Sequence, residues 1–514
     1  MEAATSVDPG GATALVFIGF MGAGKSLAAR NAAAQLNVPT VDSDALLEER
    51  LGSSIEQYFA SHGEGAFREH EEEAVAELLA APTAPVISLG GGAVSSERVR
   101  EALARHTVVL LDVDADTAWQ RARGGRPLAR DRDRFVALHA ERAPRYAELA
   151  DAILPADRRD EVRHALPSIR ALAQAPPQTK LLWAGDYPVY VGDGLVGGEL
   201  WPLEGRRFLV TDSNVGEHYA ARLPTIELEV SIEPGESHKT MQSAERVLLA
   251  LAAAGMDHDD HVVALGGGVV GDLAGFCAAV YQRGVPVVQV PTTLVALVDS
   301  AYGGKTGVDL PEGKNYVGAY HQPAAVLADP ATLATLPAEE LAAGWAEVVK
   351  TALIAGGDLW KRVRSRPAPA FDRDLVLACA RVKLRMVAQD ERDAGVRQVL
   401  NLGHTVGHAV ETVTGYRRYR HGEAVGLGML ATLTLSGLPE LRDEVAELLN
   451  AHGLPITLDA GIDREAVVAA VQRDKKRRAG RVGFVLLDAP GEPRTGCAVS
   501  DDELRAALDE LAGR

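Results

Sequence analysis

Short apolar runs recur along the first third of the chain, separated by stretches in which apolar positions return every three or four residues. The runs Ala14 to Ile18, Pro85 to Leu89 and Val108 to Leu111 predict buried strands, and Ser26 to Leu36 predicts a helix. Alternation of this kind is the rhythm of a parallel α/β sheet. A helical tail from Arg158 to Ala173 runs into Gln174-Ala-Pro-Pro-Gln-Thr179, whose prolines and small polar residues predict a linker. A second α/β rhythm follows, with Arg207 to Val210, His261 to Leu265 and Val287 to Val290 as strands, each entering a turn rich in Gly, Thr or Asp. From about Ala338 the pattern is helical to the end, with only Val482 to Leu487 strand-like. The expected organisation is therefore an α/β domain over 1–172, a linker over 173–180, a second α/β domain over 181–337 and a mostly helical domain over 338–514.

Composition narrows the functional classes. With 514 residues and a formal charge of −18, the chain is long enough for several cores and is a poor nonspecific ligand for nucleic acid or anionic lipid. Anionic metabolites must then be met by local cationic pockets. Cys277, Cys379 and Cys497 are unclustered and odd in number, which argues against a disulfide framework or a cysteine zinc site and for a reducing compartment. No apolar stretch approaches the ~18 residues of a membrane span, and Met1 to Ala12 does not read as a signal peptide, so a cytoplasmic protein is expected. Only ten of the fifty-three basic residues are lysines, so a lysine here is a candidate for chemistry.

Gly19-Phe-Met-Gly-Ala-Gly-Lys-Ser26 fits the phosphate-loop pattern between a predicted strand and a predicted helix. Gly22 and Gly24 let backbone N–H groups close around phosphates, Lys25 reaches the terminal phosphates and Ser26 can bind Mg²⁺. Asp42-Ser-Asp44, Gly63-Glu-Gly-Ala-Phe-Arg68-Glu-His-Glu71, Gly90-Gly-Gly92, Gly125-Arg126-Pro-Leu128 and Glu141-Arg142-Ala-Pro-Arg-Tyr146 follow in order. Over roughly 12–170 this set resembles shikimate kinase. The resemblance implies an ATP and Mg²⁺ site with Asp42 helping to hold the metal, Asp44 accepting hydrogen bonds from shikimate hydroxyls, and Arg68 and Arg142 binding its carboxylate. Gly90, Gly91 and Gly92 would offer backbone contacts, Arg126 would close over ATP on a mobile lid, and Arg121 or Arg123 would stack on adenine. On pattern alone Asp112 is a rival metal residue.

In the second part, Leu265-Gly-Gly-Gly-Val-Val-Gly-Asp272 follows a predicted strand without fitting the dinucleotide fingerprint. Pro291-Thr-Thr-Leu-Val-Ala-Leu-Val-Asp299-Ser-Ala-Tyr-Gly-Gly-Lys305, Gly313-Lys-Asn315, Ala346-Glu347-Val-Val-Lys350, Lys383, Arg397-Gln-Val-Leu-Asn401-Leu-Gly-His404-Thr-Val-Gly-His408, His421-Gly-Glu and Asp474-Lys-Lys476 complete a block that resembles 3-dehydroquinate synthase. One glutamate and two histidines form an acceptable catalytic zinc set, and by spacing alone His404 and His408 would share a helix face. The resemblance chooses Glu347, His404 and His421 for Zn²⁺ (Co²⁺ would suit the same ligands) and leaves His408 to the substrate. It implies an NAD⁺ site built from Asp212, Asn214, Glu236, Lys239, Gly267, Gly268, Asp272, Thr292, Thr293, Lys305, Lys314, Asn315 and Thr335. It also implies catalytic or substrate roles for Arg283, Asp299, Lys305, Lys314, Asn315, Lys350, Lys383, Arg397, Asn401, His408 and one of Lys475 or Lys476.

Eight of the ten lysines fall in these motifs, leaving out Lys180 and Lys361. The expected whole is a bifunctional enzyme acting on small acidic metabolites, without nucleic acid or membrane partners, and a homodimer through the C-terminal part. Open alternatives are another sugar-phosphate cyclase or a glycerol-dehydrogenase-like oxidation in the second part, and a non-catalytic nucleotide-binding module in the first.

Overall fold

The structure is a computed structural model that describes residues 13–81, 84–122, 129–157, 162–311, 313–365, 371–473 and 483–513. It divides into two compact units, Met1–Tyr190 and Val191–Arg514.

In the first unit the parallel strands run in the order Thr40–Asp42, Val86–Ser88, Leu15–Ile18, Thr107–Asp112, Ala152–Pro155 and Lys180–Trp183. The central strands are apolar runs because helices cover both faces of a parallel sheet; Val16, Phe17, Val109 and Leu111 are completely buried. Helix Lys25–Leu36 turns Ala28, Ala29, Ala32 and Ala33 inward, so the backbone comes close to the sheet, and ends at Asn37 in left-handed conformation. Helix Ile55–Ala80 starts from a capping box between Ser54 and Gln57 and is interrupted at Gly63 (φ 82°, ψ 173°), a conformation open only to glycine. The predicted linker begins as a short turn, Leu172–Gln174. Strand Lys180–Trp183 then adds to Ala152–Pro155 with Ala152 opposite Leu181, so the first unit extends past the 173–180 segment.

The second unit has a parallel sheet in the order Ala325–Ala328, Val287–Pro291, His261–Gly266, Arg207–Asp212 and Leu228–Ile232. Val262, Ala264, Leu273, Ala274 and Val287 lie in the core between this sheet and helices Met241–Ala253 and Gly268–Val280. The helical half starts at Ala338, as its periodicity predicts, with Ala338–Ala355, Arg373–Gln389, His404–Val413 and His421–Leu435 as principal helices. Phe484–Leu487, read as strand-like, pairs antiparallel with Pro493–Cys497. The hairpin of Lys305–Leu310 with Gly313–Tyr320 departs from the sequence expectation, because Gly, Lys and Asn along it hide the two-residue alternation from which a strand is read.

Candidate active sites

In the first unit the chain leaves strand Leu15–Ile18 through three glycines with positive φ, Gly19 (142°), Gly22 (84°) and Gly24 (93°). A Cβ on Gly22 would sit 2.6 Å from the Ala118 carbonyl oxygen, so the loop can close only with glycine there. Gly24 delivers Lys25 and Ser26 to the first turn of the helix, at the positive end of its dipole. The Lys25 ammonium donates to the Phe20 carbonyl at 3.2 Å and is mostly buried. Gly22, Gly24, Lys25, Ser26, Asp44 and Arg121 line one cavity of about 370 Å³. Arg121 is therefore the member of the Arg121/Arg123 pair seen at the site, and Arg123 and Arg126 lie outside the described residues. Asp42 does not line the cavity: its carboxylate caps helix Ser43–Leu51 by accepting from the Asp44 N–H at 3.0 Å. Asp112 ends the strand Thr107–Asp112 and is not a lining residue either.

Beside the cavity the glycine run 90–92 passes between acid and base. The Gly90 N–H donates to Ser43 Oγ at 2.8 Å, and the Gly91 carbonyl accepts from Tyr146 and, at 3.5 Å, from Arg142. A Cβ on Gly90 would fall 2.4 Å from Asp44 Oδ1, and one on Gly92 would overlap the Arg68 guanidinium at 1.8 Å. Arg68 is clamped by Glu64 at 3.0 Å and by Glu71. Burial pushes the Glu71 carboxyl up, against the pull of Arg68. Glu71 was not singled out from the sequence; its signal is its position three residues after Arg68, one helical turn away.

In the second unit, strand His261–Gly266 leads into helix Gly268–Val280 through Gly267. A Cβ at Gly267 would stand 2.8 Å from Thr293 Cγ2, and at Gly266 2.6 Å from Val270, so the turn presents bare backbone. Thr292 Oγ1 beside it is buried without a hydrogen bond. Asp212 caps the helix after its strand, accepting from Asn214 N at 3.0 Å and Val215 N at 2.9 Å. Lys239 lies 3.0 Å from Glu236 and 3.1 Å from Asp272; burial opposes its charge, but these carboxylates and Asp309 together raise its pKa. Asn315, in left-handed conformation, donates its N–H to Asp309 at 2.7 Å. The uncovered glycine backbone and the unsatisfied Thr292 hydroxyl fit a dinucleotide pyrophosphate. Thr335 takes no visible part, since its hydroxyl bonds Tyr219 at 2.8 Å and Thr332.

Glu347 stands on helix Ala338–Ala355, only 1% exposed, with its Oε2 paired to Lys350 and its Oε1 lacking a hydrogen bond. Its Oε1 lies 3.5 Å from His404 Nε2 and 3.4 Å from His421 Nε2. A tetrahedral zinc ion with bonds of about 2.0–2.1 Å holds its donors about 3.3–3.4 Å apart, so these atoms already span the edges of such a site. His408 closes the cluster, its ring 5.2 Å from His404 and 5.8 Å from His421. One ring nitrogen from each of the three histidines lies within 4.8 Å of the others, so geometry alone leaves His408 a fourth candidate donor.

Glu411, unmarked by the sequence reading, supports this centre: its Oε2 meets His421 Nδ1 at 3.4 Å and its Oε1 meets Lys314 at 3.1 Å. Burial works against a charged His421, yet Glu347 and Glu411 outweigh it and lift the imidazole to about 10. Such a carboxylate behind a histidine fixes ring orientation in metal sites. Its signal was a glutamate one turn beyond His408, on the helix face that already carries His404 and His408.

Around this centre Asp299 sits between Lys350, at 2.8 Å, and Lys383. Burial would raise its pKa, but the two ammonium groups hold it well below the carboxylate range. Lys350 also pairs with Glu347 and is raised, whereas burial lowers Lys383. Arg397, completely enclosed, donates to the carbonyls of Glu391 at 2.5 Å and Gly303 at 3.1 Å. Asn401 donates to Gln398 O at 3.0 Å, and Lys305 pairs with Asp393 at 2.5 Å. Arg283 is exposed in left-handed conformation and adds no ion pair to this cluster among the described residues. Lys475 and Lys476 lie outside the described residues.

Comparison with known proteins points to the same two families. Residues 21–172 match the family model for shikimate kinase, and 229–343 and 344–477 match those for 3-dehydroquinate synthase N-terminal and C-terminal parts. The chain is 45% identical over 327 residues to the 3-dehydroquinate synthase of Gloeobacter violaceus, covering 60% of this chain and 90% of that protein. It is 44% identical over 350 residues to that of Symbiobacterium thermophilum, covering 63% and 98%. Among solved structures, 2-epi-5-epi-valiolone synthase from Streptomyces hygroscopicus subsp. jinggangensis, with NAD⁺ and Zn²⁺ bound, superimposes with TM-score 0.59 at 29% identity, over 64% of this chain and 97% of that one. The glycine turn, the Glu347–His404–His421 triangle and these matches have one explanation: the chain belongs to the 3-dehydroquinate synthase family and carries a shikimate kinase domain in the same polypeptide.

Proposed function

We propose that the chain catalyses two separate reactions: ATP- and Mg²⁺-dependent phosphorylation of shikimate in the first unit, and conversion of 3-deoxy-D-arabino-heptulosonate 7-phosphate to 3-dehydroquinate and phosphate in the second, with NAD⁺ and Zn²⁺. The observation that carries this reading is that each unit gathers its own cations: Lys25 with Asp44 on one cavity, and Lys350 and Lys383 around Asp299 beside the Glu347–His404–His421 triangle.

In the kinase site, phosphoryl transfer asks for positioning and charge neutralisation. The loop N–H groups and Lys25 supply the latter. Asp44, against Gly90, accepts the hydrogen bond of the attacking hydroxyl, while Arg68 and Arg142 orient the acceptor by its carboxylate. In the second site, a nicotinamide and a zinc ion supply reversible hydride transfer and polarisation of an alcohol oxygen. Glu347, His404 and His421 would hold the metal, and the turn Gly266–Gly268 with Asp272 and Lys239 the dinucleotide. Lys350, kept protonated by two buried carboxylates, is a fixed positive charge, whereas Lys383, with its pKa lowered, is the ammonium most ready to release a proton. Arg397, held by the Glu391 and Gly303 carbonyls, is a fixed positive charge beside the Gly303–Gly304 turn, and Lys314 with Asn315 would meet the departing phosphate.

The second unit would form the homodimer contact, and the three free cysteines support a reducing, cytoplasmic setting. Among the described residues, no helix is long and apolar enough to cross a membrane. The purified full chain is to be assayed for shikimate-dependent ADP formation and for phosphate release from the heptulosonate phosphate. Lys25→Met should abolish the first and spare the second, and Glu347→Gln the converse; loss of both activities in either variant, or absence of both in the parent, would overturn the reading.

A further inference from the structure

The segment between helix Arg373–Gln389 and the turn Val396–Asn401 has a use that the site above does not absorb. It forms a strap across the end of the hairpin Lys305–Leu310/Gly313–Tyr320. Its base is fixed: Asp390 accepts from the N–H groups of Ala394 at 2.9 Å, Gly395 at 2.6 Å and Arg397 at 3.1 Å. Tyr320 donates to the Arg392 carbonyl at 3.0 Å, and Gln322 donates to Glu391 at 3.0 Å. At the tip, Asp393 reaches Lys305 at 2.5 Å, the ion pair spanning 88 positions in sequence.

The tip is held less well than the base. Asp393 has left-handed backbone (φ 55°), which a side chain other than glycine adopts at some cost, and its Oδ1 is buried without a hydrogen bond. Lys305 remains 48% exposed on its side chain, turned toward solvent on the strand that leads from the Gly303–Gly304 turn. Gly303 is also the residue whose carbonyl holds Arg397, so the ammonium and the guanidinium share one backbone turn.

We propose that Asp393 is a positioning residue that stands in for the anionic group of the substrate: it keeps Lys305 aligned in the free enzyme and is displaced from it when that group binds. The inference rests on the assignment of Lys305 to the heptulosonate phosphate site. Displacement costs the substrate the Lys305–Asp393 attraction, so the latch lowers affinity while leaving the chemical step alone. For a half-exposed pair that attraction corresponds to a factor of about two to five.

Asp393→Asn is the informative variant, because asparagine tolerates left-handed backbone at least as well as aspartate and keeps the shape. The full-length holoenzyme is compared with D393N, K305M and the double variant. Expected are a KM for the heptulosonate phosphate about two- to five-fold lower in D393N with kcat unchanged, a raised KM in K305M, and no further effect of D393N in the K305M background. Independently of turnover, acetic anhydride labelling with mass-spectrometric mapping should modify Lys305 faster in D393N than in the parent. An unchanged or raised KM in D393N, or equal labelling of Lys305, overturns the latch. Absence of turnover in the parent, or a K305M variant with parental KM, would sink the site assignment instead, and the labelling would still decide whether Asp393 holds Lys305.

Discussion

His261 opens the strand that carries the glycine turn of the second unit, and its titration gives a quantitative test of the packing there. The residue is completely buried and accepts a hydrogen bond from Trp201 Nε1 at 3.0 Å. Burial, with the nearby Arg207 cation, pushes its pKa down from 6.5 to about 4, against the Glu204 backbone and a smaller pull from Asp260. The neutral imidazole is therefore the folded form, and protonation favours the unfolded chain. Stability is complete above the unfolded pKa of 6.5 and is lost as pH falls from there toward 4. At 1.36 kcal/mol per pKa unit the full loss is about 3 kcal/mol, of which about 2 kcal/mol is reached by pH 5. His261→Gln keeps an acceptor for Trp201 but cannot titrate. Urea unfolding of the full chain, followed by tryptophan fluorescence between pH 7.5 and 5, should show the parent losing about 2 kcal/mol more than H261Q in the transition of the second unit. Parallel pH dependences, within about 0.5 kcal/mol, would refute the burial of a neutral imidazole at this position.

Gly92→Ala should leave folding intact, because the atom its Cβ meets is the movable end of Arg68. It should displace that guanidinium and raise the KM for shikimate about ten-fold or more with the KM for ATP unchanged, as steady-state kinetics would show. Exhaustive chelation should remove phosphate release from the heptulosonate phosphate while kinase activity returns on adding Mg²⁺ alone; recovery of the second activity with Mg²⁺ alone would contradict a Glu347–His404–His421 zinc centre. Glu411→Gln removes the charge that, with Glu347, keeps His421 protonated when no metal is bound. Zinc affinity from competitive chelator titration should then depend less steeply on pH in E411Q than in the parent between pH 6 and 8.

Much of the architecture was legible in the linear pattern. Buried strands such as Val108 to Leu111 and His261 to Leu265 announce themselves because a sheet covered on both faces demands continuous aliphatic runs. The start of the helical half at Ala338 was equally plain in its periodicity. The phosphate loop could be read residue by residue, since glycine at Gly22 and Gly24 answers a backbone demand that no other residue meets cheaply. Lys180–Trp183 was not: its place depends on an open sheet edge at Ala152–Pro155, which no local pattern reveals. That the Asp42 carboxylate also caps a helix is likewise a fact of the fold which its spacing does not announce.

The sequence by itself determined which residue types reach each site, because the loop glycines, the scarce lysines and the Glu–His–His set are chemical requirements written into the chain. Only the tertiary structure decided which groups share charge: Glu411 with His421 and Lys314, Asp299 between Lys350 and Lys383, and Asp393 on Lys305. These partners lie 10 to 97 positions apart, and electrostatic interaction falls with distance through space and with exposure to water, neither of which is encoded in spacing along the chain.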